Sequence, residues 1–105
     1  GILAAVAVPK YMDMQDEARK KALQGALSEG LSTVNMAFGK LMLSTSGSAT
    51  AASIIAKANS NKPSSEDFTY TFSASGSDIK VRVAGKPGTA FADTDAQSKV
   101  WSKPN

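Results

Sequence analysis

The chain has 105 residues, 42% of them hydrophobic, which is enough apolar material for one core rather than two. It contains neither cysteine nor histidine, which excludes disulfide frameworks, thiolate chemistry and the usual zinc sites, and removes the side chain best matched to acid–base catalysis near neutral pH. Twelve basic residues against nine acidic ones give a net charge of +3, scattered from Lys10 to Lys103, so the charge bears on solubility and marks no nucleic-acid patch.

The opening run Gly1 to Val8, GILAAVAV, is uncharged and apolar and stops at Pro9 and Lys10. It falls well short of the roughly twenty residues that span a bilayer, and no basic segment precedes it as in a secretory signal. We read it as the second half of a longer apolar helix whose front is missing. The stretch GILAAVAVPKY, Gly1 to Tyr11, resembles the end of the hydrophobic N-terminal segment of type IV pilins and pseudopilins.

That resemblance implies a bacterial filament subunit. The missing N-terminal segment would anchor it in the inner membrane before assembly, and pilus or secretion machinery would then build it into an extracellular homo-oligomer serving adhesion or motility. The cleavage site, methylated amino terminus and assembly glutamate of the family would all lie before Gly1. The resemblance also makes Pro9 the helix-kinking proline, and an interior proline does remove a backbone donor and crowd the preceding turn. Ile2, Leu3, Val6 and Val8, together with Pro9, Tyr11 and Met14, are the expected helix-to-helix contacts between subunits. Apolar residues on a projecting helix have nothing in their own domain to cover them.

From Lys10 to about Leu43 the composition predicts one long helix, rich in Ala, Leu, Met, Gln, Lys and Glu and without proline. Leu23, Leu27, Leu31, Val34, Phe38 and Leu41 recur at helical spacing and form the stripe expected to face a sheet. Before it the surface is charged, with Asp16 and Glu17 placed to pair with Arg19, Lys20 and Lys21 one turn on, and only a narrow strip of Tyr11, Met14 and Ala18 is apolar. Extended from Gly1, such a helix reaches roughly 65 Å, longer than a domain of this size is wide. Gly25, Gly30 and Gly39 each cost on the order of 1 kcal/mol relative to alanine, and we read them as tolerated.

Ser44 to Thr50, STSGSAT, ends the helix. Ala51 to Ala58 predicts a short helix capped by Ser48 or Thr50 with Ile54 or Ile55 turned inward, and Asn59 to Asp67 predicts a polar connection. Phe68 to Ala74 and Asp78 to Ala84 alternate as strands, joined by Ser75, Gly76 and Ser77 and followed by a GKPG turn. Thr89 to Ala92 is the expected third strand, and Val100 with Trp101 a fourth or a packed tail. The expected fold is α+β, a long N-terminal helix on a three- to four-stranded antiparallel sheet in one domain over residues 1–105. This order also resembles the type IV pilin architecture. It departs from the family in lacking the C-terminal cysteine pair and the Gly- and Asp-rich calcium-binding tail of the major type II secretion pseudopilin.

No catalytic residue, cofactor or metal is expected, and the chain is not read as an enzyme. Asp93 and Asp95 offer two carboxylates where calcium wants six to eight oxygens, so a solvated loop is the better reading. Glu66 and Asp67 are adjacent in a polar loop, and the many serines lack a histidine base. The aromatics fall on apolar sides of elements and read as core rather than as a stacking platform. The leading expectation is therefore a filament subunit. The alternatives are a pseudopilin of a type II secretion system and a soluble DNA- or surface-binding module using Lys80, Arg82 and Lys86.

Overall fold

Helix-forming composition carries the first half of the chain into a single α-helix, α1, Ile2–Ser44. The computed structural model describes the backbone of residues 2–44, 49–92 and 94–104, with side chains from Asp16 onward. Most of the expected helix break, 45–48, and the candidate cap Ser48 lie outside the described residues. The long axis of the molecule measures 68 Å against 24 and 18 Å across, close to the length expected of α1 itself.

A second helix, α2, Ala51–Ser60, starts where Thr50 turns its backbone extended and caps it. Thr50 Oγ1 accepts the Ser53 N–H at 3.2 Å, and Ser53 Oγ accepts the Thr50 N–H at 2.9 Å, so two donors otherwise left open by the helix start are satisfied reciprocally. Ile54 is fully buried and Ile55 half-buried. The helix runs two residues past the expected Ala58, and Asn61 donates to carbonyls of its last turn. The Asn61 backbone N–H bonds Ala58 O at 3.1 Å and its side-chain amide bonds Lys57 O at 2.9 Å.

Three strands follow, β1 (Phe68–Ser75), β2 (Asp78–Gly85) and β3 (Gln97–Trp101), antiparallel throughout in the order β1-β2-β3. Ser75 pairs with Asp78 across the two-residue loop of Gly76 and Ser77, and Gly76 takes the positive φ of 64° that so tight a hairpin requires. Alternation does the rest. Tyr70, Phe72, Ile79, Val81 and Val83 are buried on one face, while Thr69, Thr71, Ser73, Lys80 and Arg82 stand exposed on the other.

The expected strand at Thr89–Ala92 does not form. Its backbone is satisfied locally, by Thr89 N–H to Lys86 O, Ala92 N–H to Thr89 O and Thr94 N–H to Phe91 O at 3.3, 3.2 and 3.1 Å. Phe91 is drawn out of line to pack on Phe68, the rings tilted by 52° with their centres 4.7 Å apart. The third strand begins instead at Gln97, and Val100 and Trp101 belong to it. Beyond it the tail is tied back. The Lys103 backbone N–H donates to Asp78 Oδ1 at 3.0 Å, and its ammonium to Ala49 O at 2.7 Å, at the entry to α2.

The expected stripe packs against the core, with the line of deepest burial shifted to one side of it. Leu23, Ala26, Gly30, Val34 and Ala37 are the buried positions, while Leu27, Leu31, Phe38 and Leu41 pack half-buried along their flank. The centre of the contact is small because the sheet side is large. A Cβ on Gly30 would lie 2.8 Å from Val81 Cγ1 and 3.3 Å from the Tyr70 ring, so this glycine is required by close packing and is not merely tolerated. Gly25 and Gly39 face open space.

Candidate assembly interface

The side of α1 turned away from the sheet is built from residues that give it little polarity. At 3.6 residues per turn, Gly25, Ser28, Ser32, Met36, Gly39 and Leu43 fall within roughly 80° of arc, opposite the buried line. From Gln24 to Leu43 the only charged residues are Glu29 and Lys40, and both lie off this arc toward one flank. An exposed helix face ordinarily carries charge. This one ends instead in two large apolar side chains, Met36 at 62% and Leu43 at 90% exposure.

Ser28 Oγ donates to Gln24 O at 3.2 Å, and beside the stripe Thr33 Oγ1 donates to Glu29 O at 2.9 Å, both within the helix. Glu29 on the flank receives the Tyr70 hydroxyl at 3.3 Å. Burial first, and the Glu29 carboxylate second, raise the Tyr70 pKa above its ordinary value. The stripe is therefore neutral, small-surfaced in its middle and greasy at its end, a surface on which another helix can lie closely.

By helical spacing the positions of Ala18 and Met14 prolong this arc toward the N-terminus, but exposed Lys21 falls within it, and Tyr11 falls at the angle of Glu29 on the flank. Ala18 is exposed. The side chains of Ile2, Leu3, Val6, Val8, Pro9, Tyr11 and Met14 lie outside the described residues. Met36 and Leu43 were missed by reading only the stripe that faces the sheet. The near absence of charge between Gln24 and Leu43 was the signal that would have found them.

Elsewhere the structure separates residues that the sequence had grouped. Lys80 and Arg82 share the open sheet face, but Lys86 does not join them, because its half-buried ammonium donates to Ser65 O at 2.6 Å and fastens the loop before β1. Asp95 is exposed beside a polar cleft of about 230 Å³ shared with Asp16, Lys20 and Thr94, and Asp93 lies outside the described residues. Glu66 and Asp67 are exposed in the connection. Asp16 pairs with Arg19 at 3.3 Å, as the one-turn spacing leads one to expect. Of the aromatics, Tyr70 and Phe72 are buried, and Phe38 packs on Trp101 with ring centres 5.5 Å apart. Among the described residues, no helix is long and apolar enough to cross a membrane. Set against known proteins, the sequence matches no family model and no curated protein, and the fold matches no solved structure.

Proposed function

We propose that this chain is a structural subunit that assembles with copies of itself, through α1, into a filament of the type IV pilin kind. The observation that carries the proposal is the uncharged part of the outward face of α1 from Gly25 to Leu43, with Leu43 at 90% exposure at its end. Burying such a face against water's preference requires a partner, and a helix longer than the body it serves supplies one in the next copy. A contact between the projecting part of one helix and the sheet-backed part of another is head-to-tail, and such contacts propagate into open helical arrays. The resemblance of GILAAVAVPKY to the pilin N-terminal segment supports the same reading, as does the order of long helix, connection and antiparallel meander. Membrane anchoring before assembly and extracellular display afterwards follow from that resemblance. The role is structural rather than catalytic.

Expressed in a host that carries pilus assembly machinery, the intact protein is expected to give filaments visible by negative-stain electron microscopy. The double variant Met36→Glu, Leu43→Glu is expected to abolish them while leaving the circular dichroism of the folded chain unchanged. Filaments formed as readily by the charged variant, or none formed by the unaltered protein, overturn the proposal.

A further inference from the structure

We propose that the solvent face of the sheet is a docking surface for an acidic polysaccharide. Strand register sets Thr71, Arg82 and Ser98 side by side across all three strands, and Ser73, Lys80 and Val100 in the next row. All six are exposed. Neighbouring strands lie about 4.8 Å apart, so the Arg82 guanidinium rises between two hydroxyls, and Lys80 follows about 7 Å further along the same strand. Among the described residues neither Lys80 nor Arg82 has an ion-pair partner, the one such pair being Arg19 with Asp16. The nearest acid on this face, Asp78, is at the hairpin end and already accepts the Lys103 backbone N–H.

A planar guanidinium grips a carboxylate through two parallel hydrogen bonds, and flanking hydroxyls donate to or accept from the hydroxyls of a sugar ring. The Thr–Arg–Ser row offers both at once, and the Ser–Lys pair offers a second charge one row away. Features absent from the face exclude the other polyanions. Tyr70 and Phe72 are turned into the core, so among the described residues no aromatic stands on this face to stack a nucleobase. No described helix or ribbon rises from it to enter a groove of nucleic acid. Val100 is the one apolar side chain exposed among the two rows, too little to seat in a lipid surface.

One face binds one sugar segment weakly, but a polymer bridging many closely spaced faces gains avidity without any new contact. The proposal does not rest on filament assembly, because dense immobilisation repeats the face in the same way. The test uses the chain biotinylated at its C-terminus and loaded densely on a biosensor surface. Polygalacturonate, duplex DNA and anionic phospholipid vesicles are passed over it in turn.

Polygalacturonate is expected to be retained, and the double variant Lys80→Ser, Arg82→Ser to lose at least tenfold in apparent affinity. The charge-matched double Lys21→Ser, Lys57→Ser, on exposed helix positions, is expected to stay within about twofold. Thr71→Val keeps both cations and the strand's preference for β-branched residues, and is expected to weaken binding severalfold through the lost hydroxyl alone. Near-ultraviolet circular dichroism checks that each variant is folded. The proposal is overturned if polygalacturonate is not retained or if the two double variants weaken it equally, since net charge alone would then be responsible. Retention of DNA or vesicles as strongly, with the same dependence on Lys80 and Arg82, also overturns it.

Discussion

Replacing Gly30 by alanine would set a methyl group 2.8 Å from Val81 Cγ1, with the Tyr70 ring 3.3 Å away on the other side. Neither neighbour can retreat easily. Val81 is fully buried, and its branched Cβ holds it in one rotamer, while Tyr70 is buried and bonded through its hydroxyl to Glu29. Alanine gains about 1 kcal/mol over glycine in a helix interior, whereas forcing one carbon into a packed core costs about 1–3 kcal/mol. The two effects oppose, and the short contact with stiff partners decides in favour of the second, for a net loss of about 1 kcal/mol.

At Gly25 and Gly39 the same substitution meets open space, so only the helix gain remains, up to about 1 kcal/mol each. Urea unfolding at equilibrium, followed by far-ultraviolet circular dichroism, separates these cases by sign. Gly30→Ala should lower the midpoint while Gly25→Ala and Gly39→Ala raise it. Adding Val81→Ala to Gly30→Ala should cost less than the sum of the two single changes, because the second makes room for the first. If Gly30→Ala stabilises as much as Gly25→Ala, the close approach of helix and sheet at this point is wrong.

Thr50→Ala should cost about 1 kcal/mol by removing half of the capping box, and Thr50→Asn should recover most of it, read by the same unfolding curves. The double change Met36→Glu, Leu43→Glu should leave monomer stability within about 0.5 kcal/mol, as at other exposed positions, so any loss of filaments reports on assembly alone. Tyr70 is held protonated in the fold by burial and by Glu29, above its ordinary value of 10.0. The stability this contributes is complete below pH 10.0 and is lost as pH rises from there through the folded value, because the unfolded chain ionises first. Tyr70→Phe should flatten that alkaline decline in a pH series of unfolding midpoints.

Much of this architecture can be read from periodicity. FTYTFSA and DIKVRVA alternate without error, and the structure pairs them along their whole length. The long helix was plain from its helix formers, and its short successor was legible with a cap left open between Ser48 and Thr50, which the structure resolves to Thr50 with Ser53 as its partner. What could not be read was decided at a distance. QSKVW carries no alternation, yet it becomes β3 because Trp101 finds Phe38 and the Gln97 amide reaches Lys20 O at 3.1 Å, seventy-seven residues away. Thr89 to Ala92 looked like a strand but was diverted by Phe91 packing on Phe68. Along α1, Leu23 and Val34 mark the buried line in the sequence, whereas Ala26, Gly30 and Ala37 on the same line are small enough to be overlooked. The outward stripe was legible only as a shortage of charge, which periodicity does not measure.

The Gln97 bond to Lys20 and the Lys103 bond to Ala49 fasten the C-terminal segment at two separated places, one on α1 and one at the entry to α2. Were the chain built into a fibre as proposed, a pull along the rod would load the helix–sheet seam in shear, with the Gln97 clip resisting slip of β3 along α1 and the Lys103 clip holding the tail to the start of α2. Cutting either clip would leave resting equilibrium almost untouched and show itself in how much force the subunit withstands.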